Sequence, residues 1–201
     1  MRIQWSRATT KTTILDGNHR GGYRKAKKSR YNINQLTVSK LDLGSLGNEL
    51  QDKAKSLINL KGTVKITNKA SKKCLDVSGG SKSNGANIIQ WDWHGGANQK
   101  FQLADVGDGY CKILIANTDS CVDVSGESMD NGATVHQWQY WGGDNQKWKL
   151  EPVDGNFYKI TCKKSGKVLE VVDSNLAAGG NVVQWDYHGG DFQHWQITTE
   201  K

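Results

Sequence analysis

A chain of 201 residues with 36% apolar side chains is long enough to bury the core of one domain and carry an extension. Its formal charge of +7 is unevenly placed: residues 1–60 hold 12 Lys and Arg against 4 Asp and Glu, a net +8, whereas residues 61–201 hold 15 against 16, a net −1. A surface built for nucleic acid is therefore excluded for the larger part of the chain, and no run has the length and apolarity of a transmembrane helix.

The first residues, MRIQWSRATTKTT, lack the apolar stretch of a secretory signal, which leaves a mature chain, one exported without a leader, or an intracellular one. Residues 1–31 are polar and basic and end in HRGGYRKAKKSR, a composition expected to stay disordered until a partner orders it. Tyr23 and Tyr31 are too few to make a stacking platform for nucleic acid, and Asp16, His19 and Asp42 are scattered, so no catalytic group is expected here. Residues 42–60, DLGSLGNELQDKAKSLINL, place Leu43, Leu46, Leu50, Leu57 and Leu60 near heptad spacing. That pattern predicts a short amphipathic helix, with Glu49 and Lys53 as an i,i+4 pair, docking on the following domain or on a partner.

From residue 61 onward the chain repeats itself. Gln90, Gln137 and Gln184 are 47 residues apart, as are Asp76, Asp123 and Glu170, and three such units fill residues 61–201. The motif WDWHGG at 91–96 returns as WQYWGG at 138–143 and WDYHGG at 185–190. Three copies favour a closed threefold arrangement over an open stack. Within each copy the apolar residues alternate, as in Val64 and Ile66, Leu75 and Val77, Ile113 and Ile115, or Val122 and Val124, which is the period of half-buried strands. Asn84-Gly85 and Asn131-Gly132, with Ala178-Gly179 in the third copy, mark hairpin turns. About four short strands per unit predict an all-β domain, a β-trefoil of twelve strands with few exposed edges. Cys74 and Cys121 share a position that holds Val168 in the third copy, so the four cysteines, with Cys111 and Cys162, read as buried thiols.

Each unit closes on a Q-x-aromatic triplet: Gln99-Lys100-Phe101, Gln146-Lys147-Trp148 and Gln193-His194-Trp195. Together with the LDV-like triplets and the threefold period, these resemble the ricin-type β-trefoil lectins and the related sugar-binding modules of glycosidases, over residues 61–201 but not 1–60. The resemblance implies that Phe101, Trp148 and Trp195 belong to the core, with Val77, Ile89, Val124 and Val171. The first tryptophan of each motif, Trp91, Trp138 and Trp185, is expected to face inward as well.

The family's sugar pocket combines a carboxylate from the LDV triplet, an aromatic platform from the later loop and amides near the Q-x-W. By that resemblance the first pocket comprises Asp76, Trp93, His94, Asn98 and Gln99, and the second Asp123, Tyr140, Trp141, Asn145 and Gln146. The third, Glu170, Tyr187, His188 and Gln193, has a longer acid and Phe192 in place of the amide, and is expected to be weak. The chemistry suits a sugar: a carboxylate accepts from two hydroxyls, an aromatic face packs on pyranose C–H groups, and amides both donate and accept. Capping of the following turn is the alternative role for the aspartates. The expected function is non-catalytic binding of glycans, galactose-type sugars by the family's leaning, with action outside the cell or at its surface. Neither metal nor cofactor is called for. The alternative is a cell-targeting component of a toxin, whose residues 1–60 dock a partner protein or a membrane.

Overall fold

The computed structural model describes residues 40–58 and 61–200. The helix and strands of the described residues belong to one compact unit. The basic arm expected over residues 1–31 lies outside the described residues, as does Leu60.

Helix α1 runs Lys40–Ile58, starting two residues before the expected span. Ala54, Leu57 and Ile58, at i, i+3 and i+4, are buried in the same apolar cluster as Leu103 and Leu150 of the domain that follows. Lys53 does not serve Glu49 as expected: its Nζ donates to Asn156 Oδ1 at 2.6 Å, tying the helix to a turn of the barrel.

Twelve strands follow: β1 (Thr63–Asn68), β2 (Cys74–Val77), β3 (Ile88–Trp91), β4 (Phe101–Asp105), β5 (Cys111–Ile115), β6 (Ser120–Val124), β7 (Val135–Gln139), β8 (Trp148–Pro152), β9 (Phe157–Cys162), β10 (Val168–Val171), β11 (Val182–Trp185) and β12 (Trp195–Glu200). β1 pairs with β4, β4 with β5, β5 with β8, β8 with β9, β9 with β12 and β12 with β1, so six strands close into a barrel. β2–β3, β6–β7 and β10–β11 are antiparallel hairpins that cap one end. The hairpins touch through single bridges, Asn87 with His136, Thr134 with Val183 and Asn181 with Ile89. This is the β-trefoil expected from the repeat. Val64, Ile66, Ile113 and Ile160 fill the barrel, and Phe101, Trp148 and Trp195 are fully buried. The two indoles donate from Nε1 to the carbonyls of Val122 and Leu169, each at 3.0 Å.

The glutamines spaced by 47 residues join the repeats. Gln90 Nε2 donates to the carbonyls of Asn175 and Ala177, Gln137 Nε2 to those of Ser81 and Ser83, and Gln184 Nε2 to those of Ser128 and Asp130. First repeat reaches third, second reaches first, and third reaches second, a closed cycle. Ser71 and Ser165 donate to the remaining oxygens of Gln90 and Gln184 at 2.6 and 2.7 Å. In the second repeat the matching residue is Thr118, whose hydroxyl donates instead to the Ile115 carbonyl, and Gln137 Oε1 is buried without a partner.

All four cysteines are free and buried, and burial pushes the Cys111 and Cys121 thiols up to about 12. Two outcomes follow from this packing. Thr118→Ser lets the hydroxyl turn to Gln137 as its counterparts do, and should raise stability by about 0.5–1.5 kcal/mol in urea titrations. A thiol reagent should leave the folded protein unlabelled and find all 4 thiols after denaturation without reductant.

Candidate functional site

Each hairpin strand β2 and β6 carries one aspartate into a concavity, below a turn formed by the next residues. The turn after β2, Ser78–Gly80, places Gly79 and Gly80 in succession in the left-handed region, at φ of 66° and 61°. The turn after β6 repeats this with Gly126 and Glu127. The contacts of the two aspartate side chains lead away from these turns, to Asn98 and His94 in the first repeat and to Asn145 and His136 in the second.

Asp76 is 3% exposed, and its Oδ2 accepts from Asn98 Nδ2 at 3.0 Å and lies 3.5 Å from His94 Nε2. Asn98 Nδ2 also reaches the Val77 carbonyl at 3.3 Å, which fixes the amide against the strand. Burial pushes the Asp76 carboxyl above the ordinary value of 3.8, against the pull of the neighbouring amides and the His94 imidazole. These groups, with Ser78 and Trp91, line a space of about 520 Å³. In the second repeat Asp123 Oδ2 accepts from Asn145 Nδ2 at 3.1 Å, and its Oδ1 lies 3.0 Å from His136 Nε2. That space, about 390 Å³, is bounded by Trp138 and Trp141.

The aromatic platforms are not those expected. Trp91 and Trp138 were expected to face inward, yet they are 42% and 39% exposed and line the two concavities. The cause is the neighbouring repeat. Gly85, Gly132 and Gly179 hold left-handed turns at the hairpin tips, and a β-carbon there would lie 3.9, 3.4 and 3.4 Å from the rings of Trp138, Trp185 and Trp91 respectively. Each indole therefore lies over the glycine of an adjacent unit and keeps its other side open; Trp185 is half-buried in the same way. Trp93 and Tyr140, the expected platforms, do not line either concavity. They lie under the ammonium groups of Lys65 and Lys112 at 4.9 and 4.3 Å, and Tyr187 lies under Lys159 at 4.8 Å, a cation–π pair repeated at the 47-residue period.

The glutamines of the Q-x-aromatic triplets also differ from expectation. Gln99 Oε1 accepts from the backbone N–H of His94 and Gly95, and its Nε2 donates to the Asp92 carbonyl. Gln146 makes the matching three bonds to Trp141, Gly142 and Gln139. Both are fully buried, so they brace the loop from beneath. In the third repeat Gln193 braces His188 and Gly189 likewise, but it also donates to Glu170 Oε2 at 2.6 Å. His188 Nε2 stands 3.2 Å from the same oxygen, Tyr187 is joined to His194 Nε2 at 3.0 Å, and Phe192 packs partly buried on the core.

His136 is the residue that the repeat reading passed over. It is 8% exposed, stacks on Trp138 with centroids 5.3 Å apart, and occupies the position of Ile89 and Val183 in the other copies. A polar residue in place of two apolar ones was the signal available for it. Among the described residues no group of three metal-ligating side chains occurs.

A buried carboxylate held by an amide beside an open indole thus recurs in two concavities of one trefoil. The chain matches the family described as ricin-type beta-trefoil lectin domain-like over residues 56–138 and 144–201, and it belongs to that family. Comparison with curated protein sequences gave no match. Among solved structures, the designed threefold-symmetric protein ThreeFoil is 41% identical, with a TM-score of 0.68, covering 70% of this chain and 100% of that one. The exo-beta-1,3-galactanase 1,3Gal43A from Clostridium thermocellum is 37% identical, with a TM-score of 0.69, over 71% of this chain and 31% of that one. The C-half of the earthworm R-type lectin, in complex with GalNAc, is 25% identical, with a TM-score of 0.55, over 69% and 99%.

His136→Ile supplies the first repeat's apolar residue without overpacking but leaves Asp123 Oδ1 buried beside no donor. It should cost about 1–3 kcal/mol in chemical denaturation.

Proposed function

We propose that the protein is a non-catalytic lectin that binds galactose-type hexoses of glycans at two sites, outside the cell or at a cell surface. The carbohydrate-binding domain is assigned to residues 61–201, and residues 1–60 to an extension whose helix α1 docks on it. The observation that carries this reading is the pairing, in both concavities, of a buried aspartate steadied by an asparagine amide with a half-exposed indole. The carboxylate keeps lone pairs for adjacent sugar hydroxyls, in charge-assisted bonds stronger than neutral ones. The indole face sheds water against the C–H face of a pyranose. Kinship with a segment of a galactanase and with a lectin half in complex with GalNAc supports the sugar class. In the first site Asp76, His94, Asn98 and Trp91 are assigned to the sugar, and in the second Asp123, Asn145, Trp138 and Trp141. The third is assigned little affinity, since Glu170 is a methylene longer than the aspartates and Phe192 offers no amide.

Open concavities of this kind hold a monosaccharide with a dissociation constant on the order of 0.1–1 mM, and useful avidity then comes from engaging two sugars at once. Calorimetric titration with galactose is the test. The intact protein should bind two equivalents, Asp76→Ala one, and Asp76→Ala with Asp123→Ala none. In an Asp123→Ala background Trp91→Ala should weaken the remaining site by about tenfold or more, whereas Trp93→Ala should change it less than about twofold. Affinity in that background should also be full at neutral pH and fall on acidification at a pH above 3.8, because the ionised Asp76 is the accepting form and its pKa is raised. Binding that survives the double aspartate variant overturns the assignment of the two sites.

A further inference from the structure

The first two concavities differ at three matched positions: Gly80, Ile89 and His94 in the first become Glu127, His136 and Trp141 in the second. The last exchange alters the wall that a ligand meets. His94 turns a polar ring toward Asp76, whereas Trp141 adds a second indole, 56% exposed, to a smaller space that already has Trp138. Trp141 also lies back on its own loop. A β-carbon at Gly143 would collide with its ring and with Asn145 Oδ1 alike, so the indole and that oxygen lie together.

Asn145 is 2% exposed, its Nδ2 is committed to Asp123 and to the Val124 carbonyl, and its Oδ1 has no hydrogen-bond partner. A buried amide oxygen without a donor is costly, and one that lines a binding concavity invites a donor from the ligand. The first site lacks both features: Asn98 is only half-buried, and an imidazole stands where the indole does.

We infer that Trp141 makes the second site selective for hexoses that carry an acetamido group, an inference that rests on the concavity being a sugar site. An acetamido group offers an N–H and a methyl a few bonds apart. The N–H satisfies Asn145 Oδ1, and the methyl packs on the Trp141 indole, which swings off the amide to admit it. A plain hydroxyl supplies the donor but leaves the indole facing water. The first site, with one indole and an accessible amide, does not separate the two sugars.

The test uses the full chain carrying Asp76→Ala, titrated with galactose and with N-acetylgalactosamine. The acetamido sugar should bind at least about fourfold tighter, the worth of one buried methyl group. Adding Trp141→His, the residue at the matched positions 94 and 188, should reduce that preference to within about twofold. Equal affinities before the second substitution, or a preference that survives it, overturn the inference. Binding by the intact protein but none by Asp76→Ala removes the second concavity as a sugar site. No binding of either sugar by the intact protein removes the lectin reading itself.

Discussion

Three buried side-chain amides hold the trefoil closed. Gln90, Gln137 and Gln184 each leave their own repeat and donate two hydrogen bonds to the turn of a neighbour, and the three steps return to the start. A buried amide that lost those carbonyls would strand both partners, so neighbouring hairpins have one permitted register. That register places the left-handed glycine of each hairpin tip beneath the tryptophan next to the neighbour's glutamine. The open side of each indole is thereby aimed, and with it the platform of each concavity.

A second set of glutamines works within the repeat. Gln99, Gln146 and Gln193 tie the Gly-Gly loops to the strand before them, which brings Asn98 and Asn145 onto their aspartates. Above this shared frame the three copies diverge. Loop position 94, 141 and 188 holds His, Trp and His, and the inward strand position 89, 136 and 183 holds Ile, His and Val. The exchanges leave the bonds of the six glutamines in place, although His94 and His188 each accept from a backbone N–H, of Gly96 and Gly190 respectively, a bond that Trp141 cannot make.

Much of the architecture could be read from the sequence. A period of 47 residues, alternating apolar positions and Asn-Gly turns specify strand number, hairpins and threefold closure without reference to distant contacts. The aspartates and asparagines of the concavities were legible for the same reason, since they recur together. The facing of the aromatics was not. Strand alternation would put Trp91 and Trp93, two residues apart, on the same side, but β3 ends at Trp91. Where the Trp91 ring lies depends on Gly179, almost ninety residues away in sequence and packed across a repeat boundary. Gln99 and Gln146 misled through their polarity: an amide near a pocket reads as a ligand contact, and only the backbone N–H groups it meets reveal a brace. His136 was hidden by its resemblance to a strand-core position.

The cyclic bridging also makes the order of the repeats arbitrary. Every unit gives to one neighbour and receives from the other, and the two ends of the domain already lie side by side, with Thr63 paired to Glu200 across β1 and β12. A chain joined there and opened at either of the other repeat boundaries would keep all six amide bonds and the geometry of each concavity. The trefoil therefore has no first repeat. Only helix α1, seated on β4 and β8, marks where the polypeptide happens to enter the ring.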